Sequence, residues 1–110
     1  MSMKQSRLDE ISAAGMLAAL GSPARLRVYR ALIRAGEAGI NLTELQREVG
    51  IPASTLAHHL GTLADSGLVA RERRGRELLC TARYDQVRRV SEFLMAECCA
   101  GASAPRGRAA

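Results

Sequence analysis

A chain of 110 residues has room for one domain with a modest core, and no stretch of it approaches the roughly 18 consecutive apolar residues of a membrane span. A formal charge of +5 favours a polyanionic partner. Aromatic residues make up only 3%, with no Trp, so a nucleic-acid partner would be duplex, since single-strand binders stack bases on aromatic rings. The N-terminal MSMKQSRLDE carries no apolar signal region, so a cytoplasmic location is expected, with three reduced cysteines available as ligands or sensors.

Residues 1–7 are expected to be a flexible N-terminus, residues 8–99 the folded domain, and residues 100–110 a disordered basic tail. A first helix is predicted from about Leu8 to Leu20, with Leu8, Ile11, Met16, Leu17 and Leu20 apolar. Gly21-Ser22-Pro23 ends it: Ser22 suits the cap of the next helix and Pro23 its first position. That second helix runs to about Ala35, with Leu26, Tyr29 and Ile33 on one stripe beside Val28 and Leu32, and Arg27, Arg30 and Arg34 on another face.

Ile40-Asn41-Leu42 is a short candidate strand. Thr43 is expected to open a third helix through a Thr-x-x-Gln capping box with Gln46, and Gly50 to break it in a left-handed turn. Ile51-Pro52 is expected to start a fourth helix that ends near Ser66-Gly67, with Leu56, Leu60 and Leu63 inward. Leu68 to Cys80 reads as a hairpin with a charged, Gly-containing tip. A last helix is predicted from about Arg83 to Cys99, carrying Val87, Val90, Leu94 and Cys98 on one stripe.

A short helix, a glycine turn, a second helix and a basic hairpin form a helix-turn-helix followed by a wing. In this arrangement the second helix enters the major groove. The expected fold is therefore mainly α with a small β-hairpin: a winged helix-turn-helix of about five helices and a two-stranded wing. Ser54, Thr55, His58 and Thr62 face outward, and their hydroxyls and imidazole suit base edges and phosphates. On the wing, Arg71, Arg73, Arg74 and Arg76 would lie along a backbone or in the minor groove, with Gly75 turning the tip. No nucleophile–base pair, phosphate loop or HExxH motif is present, so no enzymatic activity is expected.

Several stretches resemble the ArsR family of winged-helix metal- and metalloid-responsive repressors, over about residues 11 to 99. They are Leu20-Gly21-Ser22-Pro23-Ala24-Arg25-Leu26-Arg27, Ala57-His58-His59-Leu60 with Leu63, Ser66-Gly67-Leu68-Val69, and the Gly75-Arg76 tip. The resemblance implies a homodimer joined through the first and last helices, an inverted-repeat operator in double-stranded DNA, and repression until an inducer binds. It also implies a structural role for His59, leaving Ser54, Thr55 and His58 for base contact.

Family effector sites elsewhere on the scaffold are missing. Asn41 and Thr43 stand where one arsenic-sensing type has a Cys-x-Cys pair, the last helix has no His for zinc, and the second helix has no Cys for sulfide sensing. What remains is Cys98-Cys99, which resembles arsenite-responsive members whose last helix ends in adjacent cysteines, although those often add a third cysteine that is absent here. Two thiolates suit a soft centre. Methylarsenite, already holding one carbon, needs only two sulfurs, whereas As(III) as arsenite, or Sb(III) as antimonite, would need Cys80 or an external thiol. Cys80 itself reads first as a small buried hydrophobe. Interface packing and thiol oxidation are the other readings of the pair, and a repressor controlled by oxidation or abundance, or a thiophilic-ion carrier without DNA affinity, are the alternative functions. No cofactor is required by any of them.

Overall fold

The computed structural model describes residues 8–98 and 101. The terminal segments expected to be flexible lie outside the described residues, Gly101 apart, and so does Cys99. The described residues form five helices and three short strands: α1 (Glu10–Ala19), α2 (Pro23–Ala35), β1 (Ile40–Asn41), α3 (Leu42–Val49), α4 (Ala53–Asp65), β2 (Val69–Arg74), β3 (Glu77–Ala82) and α5 (Tyr84–Met95). This is a winged helix-turn-helix.

Local chemistry sets most boundaries. The Asp9 carboxylate accepts the Ser12 N–H at 2.7 Å and starts α1, and the Ser22 hydroxyl accepts from the Arg25 N–H, with Pro23 at the first helical position of α2. Arg25 then reaches back, its Nε donating to the Ala19 carbonyl at 2.7 Å, and so satisfies the end of α1. Gly50, at φ 69° and ψ 32°, closes α3 in the left-handed conformation.

The sheet differs from a plain two-stranded wing. Its order is β1-β3-β2, all antiparallel, with Ile40 opposite Cys80 and Asn41 opposite Leu79. The same pairing explains a second difference, at the start of α3. With Asn41 held extended in β1, its side chain accepts the Glu44 N–H at 2.8 Å, so Asn41 caps the helix in place of the expected Thr43–Gln46 box. Gly39, just before β1, has φ +82°, and a Cβ there would stand 2.8 Å from both the Cys80 carbonyl oxygen and the Thr81 hydroxyl. Only glycine fits this approach.

The core gathers Val28, Tyr29 and Leu32 from α2 with Leu45, Leu56, Leu60 and Leu63 from the helix-turn-helix, and Leu68 and Cys80 from the wing's base. On α2 the inward stripe is thus centred on Val28, Tyr29 and Leu32; Leu26, expected on it, is exposed. Two helix-face expectations also change at the chain's ends. Ile11 on α1 is 87% exposed, and on α5 Leu94 and Met95 are 60% and 62% exposed. α5 stops at Met95, and Cys98 lies in the turn beyond it, exposed, where the sequence pattern had continued the helix to Cys99. α1 and α5 pack on each other, so the outward apolar residues sit on two adjacent helices. No helix among the described residues is long and apolar enough to cross a membrane.

Candidate nucleic-acid interface

The outer side of α4 is set by what its inner side does. Leu56, Leu60 and Leu63, spaced four and three apart, are buried against the core. At about 100° per residue the opposite arc then carries Ser54, His58 and Thr62, with Thr55 at its edge. Ser54, Thr55 and His58 are exposed, whereas Thr62 is half-buried. Asp65 shares this arc at the helix's C-terminal end and is exposed. A carboxylate there repels phosphate, so the face suited to DNA is the N-terminal half, residues 54–58. The Pro52 cap of α4 offers no side-chain oxygen to the first-turn N–H groups, so this end of the helix presents open donors beside Ser54 and Thr55.

The adjacent histidines have different environments. The His58 ring is exposed; the His59 ring, 5.9 Å away centroid to centroid, is half-buried with its Nδ1 wholly covered and unpartnered. Burial, and then the positive charge of Arg25 and the His58 ring, push the His59 pKa below 6.5. A neutral, inward ring next to the Arg25 clamp is a structural part of the helix-turn-helix.

In the wing, β2 and β3 are joined by the two-residue turn Gly75-Arg76, with Gly75 at φ +61° in the first central position. The register separates the arginines. Arg71 and Arg73 lie opposite Cys80 and Leu78 on one side, whereas Arg74 lies opposite Glu77 on the other, Arg76 being in the turn itself. All four are exposed. Arg74 pairs with Glu72 at 3.3 Å, an exposed contact of little energetic weight.

The cysteines are far apart in character. Cys80 is 0% exposed, its thiol pushed up by burial with Arg71 acting weakly in the other direction. Cys98 is on the surface, its N–H bonded to the Met95 carbonyl at 2.9 Å. Among the described residues no three His, Cys, Asp or Glu side chains converge as a metal-binding group.

Missing from the sequence reading are α3 residues on the same side as the wing. Thr43 and Arg47 border a cleft of about 400 Å³ that Arg73 and Arg76 border from the wing. An isolated Arg inside the Leu-Thr-Glu-Leu-Gln-Arg run gave no signal; only the packing of α3 on the sheet brings it to the wing arginines.

A helix-turn-helix with an exposed polar recognition face and a basic wing defines a DNA-binding transcriptional regulator. Comparison with known proteins agrees. A helix-turn-helix domain model matches residues 20–72. The HTH-type transcriptional regulator YgaV of Escherichia coli K12 is 30% identical over 88 residues, spanning 80% of this chain and 87% of the relative. Among solved structures, an ArsR family transcriptional regulator superimposes with a TM-score of 0.69 at 23% identity, covering 84% and 92% of the two chains. The transcriptional repressor BigR from Xylella fastidiosa gives 0.62 at 26%, covering 81% and 88%. The chain belongs to the ArsR family of helix-turn-helix transcriptional regulators.

Proposed function

We propose that this regulator is a homodimeric repressor that holds an inverted-repeat operator and releases it when a trivalent metalloid binds Cys98 and Cys99. The observation that carries the reading is the exposed Cys98 immediately beyond α5, followed in sequence by a second thiol and preceded by the exposed Leu94 and Met95. Repression is supported by the likeness to BigR, itself a repressor. Dimerisation is supported by the outward Ile11, Leu94 and Met95, apolar groups on two neighbouring helices that a second copy would cover.

The donor set favours a ligand that needs two sulfurs. Cys80 is enclosed in the core, so a third sulfur from the same chain would require opening it. Methylarsenite fits without help: two S–H groups and two As–OH groups exchange to give two As–S bonds and two waters. Arsenite and antimonite need a further thiol. Binding at the end of α5 acts beside the dimer seam, where a change in the angle between protomers would take the two α4 helices out of step with successive major grooves. A coupling of about 1–3 kcal/mol weakens operator binding roughly 5–150-fold.

The test is fluorescence anisotropy on the DNA upstream of the protein's own gene, with methylarsenite, arsenite, antimonite, zinc and peroxide added separately. Wild type is expected to let go with methylarsenite first, and the Cys98→Ser/Cys99→Ser variant to stay bound. Release of that variant by methylarsenite, or tight wild-type binding that no metalloid disturbs, would overturn the proposal. Release by peroxide alone would replace it with thiol oxidation.

A further inference from the structure

We infer that the cleft between α3 and the wing is a second seat for the DNA backbone, with Arg47 gripping a phosphate together with Arg73 and Arg76. The inference rests on the DNA-binding reading and extends it to a surface away from the recognition face of α4.

Three observations converge on it. Arg47 from α3, Arg73 from β2 and Arg76 from the hairpin turn border one cleft although they come from separate parts of the chain. All three are exposed, and among the described residues none has an ion pair or side-chain hydrogen bond, unlike Arg34 with Glu48 and Arg74 with Glu72. Glu44 and Glu77 also border the cleft without pairing to them, so the guanidinium donors stay open toward solvent. A guanidinium presents a planar fork that matches phosphate oxygens.

The cleft is also continuous with the recognition helix. A second depression shares Thr43 and Arg47 with it and runs past Gln46 and Gly50 to Pro52, the cap of α4. A polyanion lying along this track would pass from the wing tip to the open N–H groups of α4. A duplex backbone has that length and charge, and in helix-turn-helix complexes the first helix of the pair crosses the backbone. Arg47 would therefore contribute affinity and register, with no reading of sequence.

The experiment is a salt titration of DNA binding by Arg47→Gln, using the duplex upstream of the protein's own gene and a scrambled duplex. Losing one phosphate contact should weaken both duplexes by the same factor and reduce the slope of log K against log salt by about one. Arg47→Lys should keep most of the slope, which separates charge from folding. Arg27→Gln, removing an exposed arginine on α2 outside the cleft, should leave the slope unchanged.

Wild-type affinity and slope in Arg47→Gln, or an equal loss in Arg27→Gln, would overturn the cleft assignment. The recognition reading stands or falls separately: Ser54→Ala/His58→Ala should lose discrimination between the two duplexes without a change of slope.

Discussion

Truncating Leu60 to Ala tests whether α4 is held from behind as described. Leu60 is 1% exposed, between Leu56 and Leu63, which are equally enclosed. Removing its isobutyl group opens a void that these neighbours, fixed on the same helix, are poorly placed to fill. Leu→Ala changes in such sites cost about 2–5 kcal/mol, and the limited room for collapse puts this one near ~3 kcal/mol. For a domain of this size each kcal/mol moves the melting midpoint by about 4–8 °C, so a drop of roughly 12–24 °C is expected. The assay is thermal unfolding followed by far-ultraviolet circular dichroism, at one protein concentration because subunit association shifts the midpoint. His58→Ala, on the outer face of the same helix, should stay within about 0.5 kcal/mol of wild type. A Leu60→Ala midpoint within about 4 °C of wild type, equivalent to about 1 kcal/mol or less, would refute the packing argument.

Two further outcomes follow from the backbone and from His59. Gly39→Ala should destabilise more than Gly50→Ala. Both positions have positive φ and carry a left-handed penalty of about 1–2 kcal/mol, but only at Gly39 would the new Cβ meet a backbone carbonyl at 2.8 Å; equal denaturation midpoints would contradict this. For His59, burial favours the neutral ring in the folded state, so the unfolded chain binds the proton more readily. Stability from this group is complete above the unfolded value of 6.5 and is lost as pH falls through it toward the lower folded value. Urea midpoints measured from about pH 7 to about pH 5 should fall less steeply in His59→Gln than in wild type; parallel curves would show that His59 does not titrate as described.

Much of this fold is legible where a residue's own chemistry sets a boundary. Ser22-Pro23, Gly50 and Gly75 each mark a helix start or turn, because a cap, a missing N–H or a positive φ is a local requirement. The Leu56, Leu60 and Leu63 spacing likewise orients α4 without knowledge of its neighbours. Features made by tertiary pairing are not legible in this way. Asn41 wins the cap of α3 over Thr43 because β3 holds it extended. Ile11 and Leu26 look like core residues in any apolar count, and the sequence does not say which apolar side chains are left facing outward. α5 lacks a Gly or Pro immediately after Met95, so in sequence its apolar stripe runs on to Cys98 although the chain leaves the helix there. Arg47 carries no local signal, since its cleft exists only once α3 lies against the wing.

The exposed Ser54, Thr55 and His58 place the expected readout of DNA sequence on the outer, N-terminal half of α4. Its most direct test is the binding ratio of the Ser54→Ala/His58→Ala variant for the duplex upstream of its own gene against a scrambled duplex, measured by anisotropy at fixed salt. Wild type should prefer its own duplex by roughly a thousandfold or more. Base contacts of about 1–3 kcal/mol each imply that the variant loses at least roughly tenfold of that preference, with scrambled binding unchanged. A variant that keeps the wild-type ratio would refute this readout and move sequence reading to another surface.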